Sequence, residues 1–148
     1  MEIKRPESVL VVLYNEHSQV LALQRMDDPS FWQSVTGSME MDESPMQTAL
    51  REVNEEVGIS LIANWPFENG LIDCRRVNQY SIREDWRHRY EIGVTTNFEY
   101  VFCAQISSQA RIILTEHLSY EWLTKEQAID KVWSQSNKLA IQTFTPSL

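Results

Sequence analysis

The sequence has only two cysteines among its 148 residues, and they are not spaced like metal ligands. Cys74 and Cys103 stand far apart in the chain, whereas zinc-binding cysteines come in closely spaced pairs. A small secreted protein stabilised by disulfides would contain several more. We therefore expect both thiols to be reduced and the protein to be cytoplasmic.

Long hydrophobic runs are absent as well. No stretch approaches the roughly 20 apolar residues that a transmembrane helix needs. The first residues, MEIKRPES, also lack the apolar segment of a secretory signal peptide. We expect no association with a membrane, which agrees with the localisation expected from the cysteines.

Basic residues are scarce relative to acidic ones. The chain has 13 Lys and Arg against 21 Asp and Glu, a net charge of −8 at pH 7. Nucleic acids and anionic membranes are normally bound through a basic surface, so neither is an expected partner. The excess of carboxylates is also consistent with a role in solubility alone. A phosphate site in so acidic a protein needs a bound cation or a local cluster of basic side chains.

Internal repeats, low-complexity tracts and linker-like segments are missing too, so residues 1–148 are predicted to form a single domain. Hydrophobic residues make up 43% and charged residues 23%, as in an ordinary globular protein of sufficient size to bury a core. No heptad pattern or apolar interface stripe is present, and we expect a monomer.

The hydrophobic patterns predict strands before and after a central helix, followed by two further helices. The predicted strands are 8–14, 20–25, 31–36, 71–77, 98–106 and 111–114. The predicted C-terminal helices are 124–132 and 136–144. The first strand, SVLVVLY, is continuously apolar and typical of a strand that is buried on both faces. This order predicts an α/β fold with a mixed sheet covered by helices.

The central helix has clear start and stop signals. Ser44 can cap it, Pro45 suits its first position, and Gln47 completes a capping box with Ser44. Apolar residues then recur at helical spacing and form one stripe. Gly58 suits the left-handed conformation that ends many helices.

Three glutamates lie together on this helix, away from its apolar stripe. Glu52, Glu55 and Glu56 fall within an arc of about 100°, so they repel one another. They also occupy the last turns, where the helix dipole disfavours anions by about 0.3–1 kcal/mol each. A glutamate-rich helix is by itself typical of a solvated surface. The unfavourable placement indicates instead a site for a hard cation with oxygen ligands, for which Mg²⁺ is the natural choice.

Residues 37–59, GSMEMDESPMQTALREVNEEVGI, carry a complete motif around these glutamates. They match the Nudix box, G-x5-E-x7-R-E-U-x-E-E-x-G-U with U aliphatic, at every fixed position. The sequence therefore resembles the Nudix hydrolases. This resemblance implies an α/β/α sandwich with a mixed central β-sheet. It also implies hydrolysis of a substituted nucleoside diphosphate with Mg²⁺ or Mn²⁺.

The position of each residue in the box implies its role. Glu52 and Glu56 correspond to metal ligands, and Glu55 to a third ligand or the catalytic general base. Arg51 is expected to be a structural partner of Glu43 or Glu55 rather than a phosphate contact.

Segments outside the box resemble the bacterial Nudix enzymes of folate biosynthesis that act on dihydroneopterin triphosphate. They are 4–6, 24–25, 27–38, 71–74, 87–90, 93–95, 115–118 and 136–137. The resemblance implies a small-molecule triphosphate as the binding partner and release of pyrophosphate from it. It adds Glu116 to the metal site. The implied substrate contacts are Lys4, Arg25, Thr36, Tyr80, Ser81, Ile82, Arg83 and Ser134.

Residue chemistry alone leaves several of these roles open. Lys4 and Arg25 can bind phosphate or lie solvated at the surface, and Glu116 can be an ordinary loop carboxylate. Trp32, Tyr80 and Trp86 can form the walls of a pterin slot or belong to the core. The basic run 87–89 can gather phosphate or pair with neighbouring acids.

Two other functions remain as alternatives to the pterin triphosphate enzyme. The first is a broad pyrophosphohydrolase that removes damaged nucleoside triphosphates, which would share the box and differ in the base pocket. The second is a non-catalytic binding module, which we expect to have lost one or more box glutamates. None is lost here.

Overall fold

The computed structural model describes residues 3–147, which form a mixed sheet of eight strands with helices on both faces. The strands are β1 (Glu7–Tyr14), β2 (Val20–Arg25), β3 (Trp32–Gln33), β4 (Val35–Ser38), β5 (Ile62–Ala63), β6 (Gly70–Ser81), β7 (Thr96–Gln105) and β8 (His117–Leu123). The helices are α1 (Pro45–Val57), α2 (Lys125–Lys131) and α3 (Gln135–Phe144), with a short 3₁₀ helix at Glu84–Arg89. The predicted α/β fold with a mixed sheet is confirmed.

Strand β1 lies at the centre of the sheet. One edge pairs in parallel with β7 along its whole length, and β6 then pairs antiparallel with β7. The other edge of β1 is shared: β4 pairs with its first half, and β2 meets it at Tyr14 and Val20. Strand β8 adds to β2. The sheet therefore divides between β2 and β4.

The side chains of β1 enter the core on both faces of the sheet, as its apolar run predicts. Val9, Val11 and Leu13 pack in the cluster that contains the apolar residues of α1. Leu10 and Val12 pack in a second cluster with residues of α2 and α3. This burial on both faces makes β1 the common wall of the two helical layers.

Helix α1 forms as its sequence signals predict. The Ser44 hydroxyl accepts from the backbone N–H of Gln47 at 3.2 Å, and the Gln47 side chain accepts from the backbone N–H of Ser44 at 2.9 Å. Gly58 ends the helix with φ 76°, a left-handed conformation. Ala49, Val53 and Val57 are fully buried against the sheet. The remaining face of the helix is free to carry the glutamates.

The predicted strand 111–114 is wrong. These residues are irregular, and the last strand is β8, which begins at His117. Ile112 and Leu114 nevertheless pack against the core cluster of α1. The backbone N–H of Ile113 donates to the Val57 carbonyl at 3.0 Å, so it is satisfied by the end of α1 rather than by a strand.

The predicted strand 31–36 is divided into β3 and β4. The break occurs at Ser34, whose backbone N–H donates to the Asn137 side chain at 2.9 Å. The Asn137 amide in turn donates to the Ser34 hydroxyl at 2.9 Å. This buried pair ties the start of α3 to the segment that precedes the Nudix-like box.

The helices of residues 3–147 include none that is both long enough and apolar enough to cross a membrane.

We predict that Val53→Ala lowers the free energy of unfolding by about 2–3 kcal/mol, because it leaves a cavity in the fully buried face of α1. The exposed neighbour provides a matched control: Asn54→Ala should change it by about 0.5 kcal/mol or less. Urea unfolding followed by circular dichroism measures both. Equal losses in the two variants would contradict the assigned packing of α1.

Candidate active site

A cavity of about 1050 Å³ lies beside the division between β2 and β4. Its wall at one end contains Lys4, Arg25, Thr36, Gly37, Glu56, Glu116 and His117. Its wall at the other end contains Ser8, Asn78, Tyr80, Asn97 and Glu99 from the sheet, with Ser136 and Leu139 from α3. The cavity thus has one end with basic and acidic groups near α1 and another lined by polar side chains of β6 and β7.

Glu56 projects from α1 into the charged end of this cavity. Its side chain is buried, with 3% of the residue exposed. Neither carboxylate oxygen has a hydrogen-bond partner among residues 3–147. Buried carboxylates are normally paired, so this oxygen pair requires a proton or a cation.

Glu52 lies one turn earlier on α1, directly against Gly37 of β4. A Cβ atom at Gly37 would overlap the Glu52 carboxylate. Glycine at the first position of the box therefore permits close approach of the strand to the glutamate. This contact brings Glu52 to the margin of the cavity wall formed by β4.

Arg51 organises the other carboxylates of the box, as its position predicts. Its guanidinium donates to Glu43 at 2.7 and 2.9 Å, to Glu52 at 2.7 Å and to Glu55 at 3.2 Å. The bond from Arg51 lowers the pKa of Glu43 to about 2. Arg51 is therefore a structural residue that holds these three carboxylates through hydrogen bonds and makes none to Glu56.

The electrostatic environment of Glu56 favours its protonated form when no cation is bound. Burial raises its pKa to about 10, and the neighbouring carboxylates of Glu52 and Glu116 add to the rise. His117 Nε2 lies 3.6 Å from a Glu56 oxygen. Burial, followed by the charge of Arg25, lowers the pKa of His117, so this imidazole is a poor source of compensating charge.

The residues around Glu56 fit a divalent cation by their chemistry. The unpartnered Glu56 oxygens, the Glu52 carboxylate and the cavity-lining Glu116 are hard oxygen donors, the kind that Mg²⁺, Mn²⁺ and Ca²⁺ take. Within residues 3–147, no three acidic, histidine or cysteine side chains already converge on one point as a complete ligand set. Glu52 is instead engaged by Arg51.

All eight predicted substrate contacts line the cavity: Lys4, Arg25, Thr36, Tyr80, Ser81, Ile82, Arg83 and Ser134. Burial, followed by the charge of Arg89, lowers the pKa of Lys4. Arg25 donates to Asp27 at 2.7 Å and to Gln33 at 3.1 Å, which holds its guanidinium at the wall. Their roles toward a ligand stay predictions, but the fold brings them together in one place.

Glu55 and Trp32 lie outside the cavity wall. The Glu55 side chain is 56% exposed and pairs with Arg51, so its role as ligand or base stays a prediction. Trp32 faces Lys131 at 4.2 Å and is not part of the aromatic wall of the cavity, which was one of the two roles left open for it. Trp133 takes this place, stacked on Phe31 with ring centroids 4.9 Å apart.

Trp86 lies at the same aromatic wall, which is one of the two roles left open for it, and three guanidinium groups surround its ring. The distances from the guanidinium Cζ atoms to the centroid of its ring are 4.6 Å for Arg83, 5.7 Å for Arg25 and 5.9 Å for Arg89. Of the basic run, Arg89 lines the cavity, whereas Arg87 donates to the Ile82 carbonyl at 2.9 Å. The aromatic surface therefore concentrates positive charge in an otherwise acidic protein.

Several cavity residues were not predicted from the sequence, above all His117, Asn97 and Glu99. Asn97 and Glu99 occupy alternate positions of β7, on the face that carries Val101 into the core. Two polar residues on the buried face of a strand are a signal that could have been found. His117 had no such signal, because its burial depends on the pairing of β8 with β2.

Comparison with known proteins identifies the fold family. The model for the NUDIX domain matches residues 4–144. The chain belongs to the Nudix family. It is a Nudix hydrolase, and members of this family generally use divalent metal ions. This agrees with the oxygen donors found at Glu56.

Two curated Nudix relatives match nearly the whole chain. The dihydroneopterin triphosphate diphosphatase of Escherichia coli K12 is 48% identical over 142 residues, which cover 95% of this chain and 93% of the relative. The protein of the same name from Haemophilus influenzae is 38% identical over 145 residues, covering 97% and 90%.

Solved structures support the same fold. The structure of the E. coli dihydroneopterin triphosphate pyrophosphohydrolase matches with a TM-score of 0.87 and 47% identity, covering 97% of each chain. A Nudix hydrolase from Listeria monocytogenes matches with a TM-score of 0.75 and 26% identity, covering 93% of this chain and 90% of its own. The predicted Nudix sandwich is therefore confirmed.

We predict that Glu56 makes the metal-free Nudix domain less stable as the pH rises. Its folded pKa, about 10, lies above the ordinary value of 4.5, so the folded state holds the proton more tightly than the unfolded chain. This contribution is fully present below about pH 4.5 and is lost progressively as the pH rises toward 10. In EDTA at pH 9, Glu56→Gln should therefore melt on the order of 5 °C higher than wild type.

Differential scanning fluorimetry at pH 6 and pH 9, with EDTA or with MgCl₂, measures this effect. Added Mg²⁺ should stabilise wild type more at pH 9 than at pH 6, and should have little effect on the variant. Glu121→Gln, a carboxylate outside the cavity that pairs with Lys131, serves as the control and should follow wild type. The same pH dependence in wild type and Glu56→Gln would contradict the assignment.

Proposed function

We propose that the protein is a Mg²⁺-dependent dihydroneopterin triphosphate diphosphatase of folate biosynthesis. It converts dihydroneopterin triphosphate and water to dihydroneopterin monophosphate and pyrophosphate. The observation that carries this proposal is the two-ended cavity, with unpaired carboxylate oxygens at one end and a polar and aromatic wall at the other. The identity of 48% with a relative of that name, over 95% of the chain, supports the choice of substrate.

Glu52, Glu56 and Glu116 are the proposed ligands of Mg²⁺, which Mn²⁺ can replace. When bound, the cation polarises the phosphoryl oxygens and neutralises charge on the departing pyrophosphate. The ion pair with Arg51, at 2.7 Å, holds the Glu52 carboxylate in place. His117, beside Glu56, is proposed to orient that carboxylate.

Basic side chains at the same end bind the triphosphate. Lys4 provides a point charge, and Arg25 offers its planar guanidinium to phosphoryl oxygens. Asp27 and Gln33 restrict the orientation of Arg25 before substrate arrives. Thr36, whose hydroxyl donates to the Val9 carbonyl at 2.9 Å, adds a polar contact at the wall formed by β4.

A carboxylate removes a proton from the attacking water, which forms a new bond to phosphorus while a P–O bond to the leaving pyrophosphate breaks. Glu55 is the candidate for this general base from its position in the box. Glu116 is the second candidate, supported by its place in the cavity wall. The protein otherwise contributes positioning and electrostatic stabilisation.

We further propose that residues 1–148 act as one Nudix domain, as a monomer in the cytoplasm, on a small-molecule substrate. The net charge of −8 supports the absence of nucleic-acid and membrane partners.

Substrate preference tests the proposed function. Wild type with Mg²⁺ should hydrolyse dihydroneopterin triphosphate with a kcat/KM at least about tenfold above its values for dATP, dGTP, dCTP and dTTP, because one additional recognised group contributes roughly that much. Pyrophosphate release measured by a coupled assay gives each value. A kcat/KM for any of these nucleotides equal to or above that for the pterin substrate would favour the broad nucleotide pyrophosphohydrolase.

A pair of variants tests the carboxylate roles. Glu116→Gln should lower kcat by about 100-fold or more if Glu116 is a ligand or the base, since general base catalysis contributes about 10²–10⁴-fold. Glu55→Gln should lower kcat comparably only if Glu55 is the base. A Mg²⁺ titration of each variant separates the roles, because loss of a ligand raises the Mg²⁺ concentration required and loss of the base does not. Wild-type kcat in both variants would overturn both assignments.

A further inference from the structure

Glu99 is a second buried carboxylate of the cavity, and it belongs to neither the box nor the phosphate end. It lies in the middle of β7 with 4% of the residue exposed, and it lines the cavity. In the sheet it pairs with Ser8 of β1 on one side and Asn78 of β6 on the other. A charged side chain at this position is unusual, because the same face of β7 continues into the core through Val101.

The protein provides Glu99 with little compensation. Among residues 3–147, no ion pair includes it. Asn78 donates one hydrogen bond to a Glu99 oxygen at 3.3 Å. Burial raises the pKa of Glu99, and the Ser136 hydroxyl and the Asn78 amide oppose that rise. An ionised carboxylate has about four acceptor positions, so with Asn78 and Ser136 as donors about half of that capacity is left for a ligand.

The neighbouring polar side chains are already engaged with one another. The Asn97 amide donates to the Ser8 hydroxyl at 2.8 Å and to the Tyr80 hydroxyl at 3.0 Å. These bonds fix the floor of this end of the cavity. The Glu99 carboxylate is therefore a hydrogen-bond acceptor among side chains whose positions are fixed. The edge of a ligand that faces it must present hydrogen-bond donors.

The position of Glu99 suits the ring of a substrate whose phosphates are held near α1. Strand β1 separates β7 from β4, as shown by the pairing of Ser8 with both Glu99 and Ser38. Two strand spacings, about 10 Å, thus lie between Glu99 and the strand that contains Gly37 and contacts Glu52. This distance is shorter than an extended pterin triphosphate.

We propose that Glu99 is the residue that recognises the pterin ring, accepting hydrogen bonds from its N3–H and 2-amino groups. This inference rests on the proposed function and deepens it. The two groups form a pair of adjacent donors, which one carboxylate accepts through both oxygens. A ring held in this way lies between the sheet floor and Leu139 and Ser136 of α3.

The same chemistry discriminates against adenine. Its corresponding edge presents one donor, the amino group, beside one acceptor, the ring nitrogen. An ionised carboxylate pairs with the donor and leaves two acceptors facing each other, which is unfavourable in a buried site. Glutamine at position 99 would reverse this preference, because its amide offers one acceptor and one donor.

Glu99→Gln, which preserves the size and shape of the side chain, tests the inference. The kcat/KM for dihydroneopterin triphosphate should fall on the order of 100-fold, while that for dATP should stay within about threefold of wild type or rise. The retained dATP activity shows that the metal and phosphate end is intact. Glu121→Gln, a strand carboxylate outside the cavity, is the matched control and should leave both values unchanged.

A substrate analogue provides an independent test. Wild type should discriminate against the triphosphate in which hydrogen replaces the 2-amino group, and Glu99→Gln should lose most of that discrimination. A parallel loss of activity on the pterin substrate and dATP would overturn the inference and make Glu99 a structural residue. Unchanged activity on both would also overturn it.

Failure of the proposed function gives a different result. It appears in the wild-type protein, as the absence of any preference for dihydroneopterin triphosphate over the nucleotides. The inference about Glu99 is tested by the change in that preference upon substitution. The two outcomes therefore cannot be confused.

Discussion

The unpaired carboxylate of Glu56 is the feature on which the rest of the site depends. Arg51 donates hydrogen bonds to the glutamates at positions 43, 52 and 55 but not to Glu56, which is buried at the end of the same helix. The apolar stripe of α1 packs firmly enough against β1 to keep this carboxylate out of water. Stability supplied by the core thus keeps a carboxyl group buried where its charged form is unfavourable, and stabilisation of that charged form by a cation supplies a reason for metal binding.

The divided edge of β1 gives this carboxylate a cavity to face. If a single strand paired with this whole edge of β1, there would be no gap between β4 and the end of β2, and the cavity would have no opening there. Because β2 meets β1 only at Tyr14 and Val20, Arg25 and Thr36 lie on strands that separate from each other. Asn137 binds Ser34, the single residue between β3 and β4. The fold is therefore tied together at the point where it would otherwise be open.

Local signals in the sequence were sufficient to predict α1, because its caps and apolar stripe are contained in one segment. The structural role of Arg51 toward Glu43 or Glu55 was predicted from its position in the box, and the structure contains both ion pairs. The metal-site position of Glu116 came from family resemblance, since nothing in its neighbourhood distinguishes it from an exposed loop residue. The structure brings the predicted substrate contacts together in one cavity, and their roles toward a ligand stay predictions.

The misses share a physical cause, which is dependence on contacts distant in sequence. Residues 111–114 are apolar enough for a strand, yet they pack beside the end of α1. The strand that pairs with β2 is instead β8. Glu99 and His117 become buried only when β7 and β8 take their places in the sheet. Glu55 and Glu56 are adjacent in the chain, but successive residues of a helix point about 100° apart, so one side chain is exposed and the other is buried at the cavity.

The parallel pairing of β1 with β7 also has a consequence for the order in which the protein can be built. This pairing places Glu7 beside Phe98, so β1 cannot pair with β7 until the ribosome has synthesised about 90 further residues. Non-local parallel pairing of this kind slows folding, since a long loop must close before any contact forms. Helix α1 can form early from its own signals, but the cavity it faces exists only after β7 has docked. A nascent chain interrupted before that step would carry the complete motif and no binding site.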